Sequence, residues 1–230
     1  MNATGASMAA LTAAPTEKAE SILAAARRMF LASGFGAVSM DAIAREAGAS
    51  KATLYAYFAS KEDLFGAVVA GEGERYFRGF SAQELDPTQV EASLTEIAER
   101  FLELVLSPDA IAVNRITIAE AVRFPQLGEV FWRAGPERTR AQIEAFLRRA
   151  DEAGTLSVAD PRLAAEQFIA LLRGDLHLRQ LLRIDPPIGR VQLSAMVCGA
   201  VATFLRAFGT QPVPPTTRGS RRRAAHASSP

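Results

Sequence analysis

The sequence of 230 residues is poor in the side chains that build redox and metal chemistry, with one cysteine and two histidines. A single thiol, Cys198, excludes a disulfide framework and every zinc site built from several cysteines. The two histidines, His177 and His226, leave almost nothing for a zinc site or a histidine-based catalytic relay. We therefore predict no metal and no cofactor, and we expect Cys198 to be a small core residue.

Charge of one sign is also scarce, because 26 Lys and Arg residues balance 25 Asp and Glu residues. Such a chain is neither a disordered acidic segment nor a polycation that coats nucleic acid. The apolar run from Val191 to Phe208 is interrupted by polar and charged residues and is not typical of a membrane span. The first fifteen residues lack the basic and leucine-rich parts of a secretory signal. We expect a cytoplasmic protein.

Catalytic signatures are missing as well. The sequence has no cluster of histidine, cysteine and carboxylates, no glycine-rich phosphate loop and no paired carboxylates at metal spacing. Glu99 and Glu103 lie one helical turn apart without histidine partners, which is typical of a solvated helix face. An enzyme is therefore the least favoured class.

Helical periodicity is abundant. Apolar residues recur at helical spacing, and no run of alternating residues predicts a sheet. Helices are predicted at residues 17–33, 39–47, 51–58, from 61 onward, and at 87–105, 109–122, 125–149, 161–183 and 187–208. The fold class is all-α, with a three-helix N-terminal unit joined by a linking helix to a larger bundle. The predicted domains are a disordered arm (1–15), the N-terminal unit (16–76), the bundle (77–208) and a disordered basic tail (209–230).

Two short helices joined at Gly48 predict a helix-turn-helix over about residues 39–58. Ser39 and Ser50 stand where N-caps are expected, and Gly48 can adopt the positive φ of a tight turn. Such a unit cannot bury its apolar face alone. We expect Phe30 of the first helix to close a small core with Ile43 and Leu54.

The second short helix presents side chains suited to DNA. Lysines bind phosphates, hydroxyl groups donate hydrogen bonds to them, and alanines allow close approach to base edges. The candidates are Ser39, Ser50, Lys51, Ala52, Thr53, Tyr55, Tyr57 and Lys61. The same geometry occurs in proteins that touch no nucleic acid, and residues 1–70 carry six basic and six acidic side chains. The residues alone leave both interpretations open.

Three stretches of this unit closely resemble the DNA-binding domain of the TetR family of bacterial regulators. They are Ile22–Phe35, Ser39–Gly48 and Ser50–Phe65. The resemblance implies that the eight candidates contact double-stranded DNA. Residues from about 115 to 182 resemble, less specifically, the C-terminal domain of AefR-like members of the family. That likeness implies a repressor-type regulator that dimerises and holds a small-molecule effector.

The bundle is expected to supply the dimer contacts. A helix-turn-helix contacts few base pairs, so specific binding requires two copies whose reading helices lie about 34–36 Å apart. The apolar stripes of the last two helices are wider than one neighbouring helix requires. The predicted interface residues are Leu178, Leu182, Leu193, Met196, Val197, Ala200 and Phe204. The alternative is that these side chains belong to the core of the chain itself.

The bundle is also expected to hold the effector. Aromatic and aliphatic side chains would line a cavity, and a few polar groups would orient the ligand. The predicted residues are Phe101, Asn114, Arg115, Ile118, Phe131, Trp132, Gln167 and His177. Each of them has an ordinary alternative in the core or on the surface.

We therefore predict a ligand-responsive, homodimeric repressor that binds a palindromic operator and is released by a small-molecule effector. It would be cytoplasmic, and nucleoid-associated when bound to DNA. The alternative is a TetR-like co-regulator that acts through protein contacts without operator binding of its own. The balanced charge of the N-terminal unit keeps this alternative open.

Overall fold

The computed structural model describes residues 17–76, 84–184 and 188–210. These residues form eleven α-helices and no strand, apart from one isolated bridge between Leu156 and Gly209. The helices are α1 (Glu17–Ser33), α2 (Met40–Glu46), α3 (Lys51–Tyr57), α4 (Lys61–Tyr76), α5 (Val90–Val105), α6 (Pro108–Glu120), α7 (Pro125–Ala134), α8 (Pro136–Glu152), α9 (Pro161–Arg173), α10 (Leu176–Leu181) and α11 (Arg190–Phe208). The predicted all-α fold is confirmed. The N-terminal arm, and the basic tail from residue 211 onward, lie outside the described residues.

Five helices begin at a side-chain cap. In α2, α3, α4, α6 and α9 the cap oxygen accepts a hydrogen bond, 3.0–3.2 Å long, from the backbone N–H three residues later. The cap residues are Ser39, Ser50, Ser60, Ser107 and Asp160. Asp86 is different. It accepts hydrogen bonds from Thr88, and α5 begins only at Val90, so the helix start predicted at residue 87 is wrong.

Two predicted helices are each divided in the structure. The segment 125–149 breaks at Gly135, whose φ of −118° and ψ of −83° are not helical, and Pro136 opens the next helix. The segment 161–183 breaks at Gly174, where a φ of +48° ends α9. The described part of the bundle therefore has seven helices, where the periodicity predicted five, or six if 125–149 is broken at Gly135.

The fold has two hydrophobic cores. The first lies among α1 to α4, where Phe30, Ile43 and Leu54 are buried as predicted. Val113 of α6 and Leu127 of α7 belong to the same core, so the N-terminal unit is closed by the bundle. The second lies among α5, α8, α9 and α11, and its largest side chains are Phe101, Phe146, Phe168 and Phe204.

The link between the two parts is α4, which runs without interruption to Tyr76. Gly66, Gly71 and Gly73 all lie within this helix. At Gly66 a Cβ would lie 2.7 Å from Val130 Cγ1, so the missing side chain lets α7 pack closely against α4. A movement of α7 would therefore displace α4, the helix that enters the N-terminal unit.

Candidate nucleic-acid interface and internal cavity

The predicted helix-turn-helix is formed by α2 and α3. Gly48 lies at the turn with a φ of +58°, a conformation that residues with a side chain rarely adopt. Ser50 opens α3 and is joined to Thr53 by a hydrogen bond between the two hydroxyl groups at 2.8 Å. Lys18 of α1 donates to the carbonyl of Gly48 at 2.7 Å. The sequence did not single out Lys18, which here fixes the turn.

The α3 helix exposes nearly its whole surface. Leu54 is its one buried residue and anchors it to the first core. Tyr55 and Tyr57 are 44% and 43% exposed, which is high for such large side chains. Lys51 and Ala52 are exposed beside them, while Thr53 is half-buried at the cap. A short, firmly capped helix with a protruding polar face has the shape required of a reading helix.

The two lysines of this segment have different environments. Lys51 is exposed and lies 2.9 Å from a carboxylate oxygen of Asp41 on α2, whose hydrogen bond and charge raise the pKa of Lys51. Lys61 is half-buried, and its ammonium donates to the carbonyls of Phe35 and Val38, both at 2.9 Å. Burial lowers the pKa of Lys61. The structure therefore uses Lys61 to hold the loop between α1 and α2.

The same loop is held from the bundle side. Glu120, the last residue of α6, accepts a hydrogen bond from the Gly36 N–H at 3.0 Å. The ring of Phe124 packs edge-on against Phe35 with 5.3 Å between the centroids. The end of α6 is thus attached to the N-terminal unit just ahead of the helix-turn-helix.

A group of ion pairs makes a second connection between the two parts. Arg27 of α1 and Arg75 of α4 each pair with both Glu72 of α4 and Asp109 of α6. The Glu72 carboxylate is buried, so its two arginine partners offset the cost of removing it from water. Three helices therefore meet at one charged cluster beside the bundle.

A cavity of about 370 Å³ lies between α4, α5, α6, α7, α8 and α9. Its volume is within the usual range for sites that bind small molecules. Phe101, Asn114, Phe131 and Trp132 line it, in agreement with the sequence analysis. These residues lie on α5, α6 and α7. The fold brings them to one cavity, and their spacing along the sequence does not show that proximity.

The other four predicted ligand residues do not line this cavity. Arg115 donates to the carbonyls of Gln180 and Leu181, both at 2.7 Å, and so fastens α6 to α10. Ile118 and Gln167 lie on the surface. Burial and the nearby charge of Arg173 lower the pKa of His177 to about 4, and its Nε2 is buried without a hydrogen-bond partner among the described residues.

Sequence reasoning missed several charged residues of the cavity wall. Arg140 and Arg173 line it, and so does Glu72. Charged side chains on amphipathic helices are ordinarily assigned to the solvated face, and periodicity carries no signal that would place them inside. A short-range clue existed for Arg173, which lies next to the break at Gly174 and one turn before His177.

Comparison with known proteins now assigns the family. Residues 22–68 match the family model described as bacterial regulatory proteins, tetR family. Residues 92–210 match the model of the AefR-like transcriptional repressor, C-terminal domain. The chain belongs to the TetR family. Like its relatives it is a DNA-binding transcriptional regulator of the helix-turn-helix type and not an enzyme.

Relatives of this TetR-family chain include the HTH-type transcriptional regulator Rv1556 of Mycobacterium tuberculosis, 27% identical over 72% of this chain and 77% of the relative. A TetR-family regulator from Mesorhizobium loti is 28% identical with a TM-score of 0.72, over 84% of this chain and 99% of that chain. The flavonoid-responsive regulator FrrA is 35% identical with a TM-score of 0.69, over 85% of this chain and 98% of that chain.

The predicted dimer residues of this TetR-family chain divide into two groups. Val197, Ala200 and Phe204 are buried in the second core of the same chain, so the prediction that these three lie in the dimer interface is corrected. Their side chains fill the space between α11 and its neighbours α5 and α9 within the same chain. Leu178 of α10 and Leu182, the residue that follows this helix, are exposed. The remaining pair, Leu193 and Met196, is partly buried against the core.

The middle of the outer face of α11 carries small residues. They are Ser194, Ala195, Cys198, Gly199 and Thr203, all exposed, with Val191 and Gln192 exposed before them and Arg206 after them. The expectation that Cys198 is a core residue is wrong, because Cys198 is exposed. By length and composition α11 would also pass as a membrane span, a test that core helices of soluble proteins pass as well. In the described residues no group of three His, Cys, Asp or Glu side chains could hold a metal ion.

Proposed function

We propose that the chain is a homodimeric, ligand-responsive repressor that binds a palindromic operator and is released by a small-molecule effector. The observation that carries the proposal is the exposed face of α3, a seven-residue helix held by one buried leucine and turned toward solvent. The family assignment supports DNA binding. Repression, pairing and the effector are proposals that rest on the contacts described next. We place the protein in the cytoplasm, at the nucleoid when it is bound to DNA.

In this proposal α3 enters the major groove. Lys51 contacts a phosphate, and the hydroxyl groups of Tyr55 and Tyr57 donate to neighbouring phosphates on either side. Ala52 lies at the exposed start of the helix, where a small side chain allows contact with base edges and thymine methyl groups. The cap residues Ser39 and Ser50, and Thr53 in the first turn of α3, add hydroxyl groups at the helix N-termini. Lys61 contributes by holding the preceding loop.

We propose that two copies pair through the outer faces of α9, α10 and α11. Small side chains on α11 allow a close approach of two helices, and Leu163 and Leu171 of α9 expose apolar surface beside it. Leu178 of α10 and Leu182 just after it extend this surface. Exposed leucines on neighbouring helices are typical of an interface that a partner covers.

The cavity is the proposed effector site. Its wall includes Val113 and Asn114 of α6, whose last residue, Glu120, holds Gly36 of the N-terminal unit. Glu72 also lines the cavity and pairs with Arg27 and Arg75, which in turn pair with Asp109 of α6. A ligand that shifts α6 or α4 would therefore change the orientation of α3, and with it the spacing of the two reading helices. The similarity to a flavonoid-responsive regulator supports an organic effector.

A gel-shift and footprinting experiment with the intergenic DNA upstream of the gene tests the proposal. The full chain is expected to protect an inverted repeat, and its affinity should fall steeply as the salt concentration rises, because phosphate contacts release counterions. A protein that is folded and dimeric but binds none of this DNA at low salt would contradict the proposal. That result would favour the co-regulator without operator binding of its own.

A further inference from the structure

Six charged side chains line the cavity, and five of them have an oppositely charged partner. The pairs are Glu74 with Arg138 at 4.0 Å, Arg140 with Glu144 at 3.0 Å, Glu166 with Arg162 at 3.5 Å, and Glu72 with Arg27 and Arg75. The sixth is Arg173, the last residue of α9. It has no ion-pair partner among the described residues.

The surroundings of Arg173 are unusual for a cation. Its Nε is buried and has no hydrogen-bond partner in the described part of the chain. The guanidinium carbon lies 5.7 Å from the ring centroid of Phe101, a contact that orients the group without neutralising it. Burial lowers its pKa, with no carboxylate to oppose the effect. Since an unpaired buried charge destabilises the fold, a partner from outside the chain would satisfy it.

His177 provides a second unsatisfied group next to the first. It follows Arg173 by four residues, and its Nε2 is also buried without a partner among the described residues. Because burial and the charge of Arg173 lower the pKa of His177 to about 4, this imidazole is neutral near pH 7. Arg173 is therefore the one cation of the wall that lacks an ion-pair partner among the described residues. Phe101, Phe131 and Trp132 add an aromatic surface to the same wall.

We propose that Arg173 binds the carboxylate of an aromatic acid, which is the effector of this regulator. The planar guanidinium donates two parallel hydrogen bonds to the carboxylate, and the aromatic body lies among Phe101, Phe131 and Trp132. Glu72, Glu74 and Glu166 also line the cavity, so a ligand with several negative charges is disfavoured and a monoanion fits. This inference rests on the proposed function in one respect, namely that the cavity is the effector site.

The test uses two probes of nearly the same shape, 2-naphthoate and 2-naphthamide, of which only the first is charged. Isothermal titration calorimetry of the full chain, without DNA, is expected to show at least about tenfold tighter binding of the acid, as charge-assisted hydrogen bonds require. In Arg173→Met the preference for the acid should disappear. Arg138→Met is the matched control, because it also removes a cation from the cavity wall, and there the preference should persist.

The Tm of the ligand-free protein distinguishes the proposed ligand-binding role of Arg173 from a structural role. Replacing an unpaired buried cation by an apolar side chain of similar length should raise the Tm of the ligand-free protein by about 2–4 °C. Arg138→Met should leave the Tm unchanged, since Arg138 is exposed. If Arg173→Met does not fold, Arg173→Gln replaces it in the binding measurement, and the acid preference should be lost there too.

Three results would overturn the inference. They are equal binding of the two probes to the unchanged chain, no binding of 2-naphthoate at millimolar concentration, and an acid preference that survives in the Arg173 variants. None of them bears on operator binding, which is measured by gel shift without a probe. Failure of the proposed function would appear in the gel shift and leave the calorimetry unaffected, so the two failures are distinguishable.

Discussion

The reading helix and the cavity keep their polar groups in opposite environments. On α3 the side chains of Lys51, Tyr55 and Tyr57 are exposed, and water solvates them whenever DNA is absent. In the cavity region Arg173 and His177 are half-buried, and each has one buried nitrogen without a partner in the described residues. The exposed site costs the fold little, whereas the buried site lowers the free energy of unfolding until a ligand satisfies it.

The difference determines how each site responds to substitution. Because Leu54 alone anchors α3, a change on its outer face should alter DNA binding and leave stability unchanged. A change at Arg173 should alter stability and ligand binding together, whereas a change at His177, which does not line the cavity, should alter stability. This is the usual relation between stability and function at a preorganised interior site.

The largest expected effect is the loss of operator affinity when the proposed dimer is broken and one reading helix must bind alone. Gly199 lies on the outer face of α11, and a Cβ there meets nothing within 4 Å in its own chain. Gly199→Arg should therefore fold as a monomer and lose at least about 100-fold in operator affinity, because two linked half-sites bind far more tightly than one. Analytical ultracentrifugation and a gel shift check both parts.

Gly71→Arg is the control for this variant. Gly71 is also helical, exposed and free of atoms near a built Cβ, but it lies on α4. It should remain dimeric and bind DNA as before. A dimeric Gly199→Arg protein would show that the partner covers another face.

The reading helix was predictable because its signals are local. Ser50 caps the first turn, and Gly48 takes the positive φ that the turn needs. Lys61 marks the limit of this reasoning. A lysine near a DNA-binding helix indicates a phosphate contact, yet here its ammonium is taken by two carbonyls of a loop more than twenty residues earlier.

The bundle was less predictable, because the burial of its side chains depends on residues that are distant in sequence. A stripe shows which side of a helix is apolar, but not whether the surface that covers it belongs to the same chain. Phe204 and Cys198 lie on one helix, and the structure buries the first and exposes the second. Arg173 carries a charge that pattern analysis assigns to solvent, although the fold buries its Nε beside a phenylalanine.

A smaller effect is expected from the pH dependence of the interior site. Burial and the charge of Arg173 lower the pKa of His177 to about 4, below the value of about 6.5 for an unfolded chain. The unfolded state then binds more protons between these values, so stability is complete above about pH 6.5 and falls as the pH drops toward 4. After allowance for partial exposure the loss is about 1–2 kcal/mol.

His177→Gln is neutral throughout this range and should lack that part of the pH dependence. Urea unfolding at about pH 7.5 and about pH 4.5 measures the difference between the variant and the unchanged chain. His226→Gln, at the only other histidine of the sequence, is the control and should behave like the unchanged chain. Equal pH dependence in all three proteins would mean that the His177 imidazole is solvated.

On the exposed site a smaller change is expected for a single phosphate contact. Lys51→Ala should weaken operator binding about 3–10-fold and reduce the salt dependence by about one released counterion, with no change in Tm. Arg133→Ala is the matched control, because Arg133 is likewise exposed and ion-paired, with Glu129 at 3.5 Å, but lies on α7. Loss of affinity in both variants alike would indicate a general effect of net charge.

The smallest effect is an increase in affinity. Asp41 holds the Lys51 ammonium at 2.9 Å and places a negative charge beside the proposed phosphate site. Asp41→Asn should strengthen operator binding about 2–5-fold, because it removes this negative charge and frees the Lys51 ammonium for the phosphate. Lys51 remains protonated at neutral pH when its pKa returns toward the ordinary value. Asp63→Asn removes the same charge elsewhere on the N-terminal unit and should have less effect. Weaker binding by Asp41→Asn would instead show that Asp41 positions Lys51 for its contact with DNA, and that even an exposed reading helix depends on a preorganised ion pair.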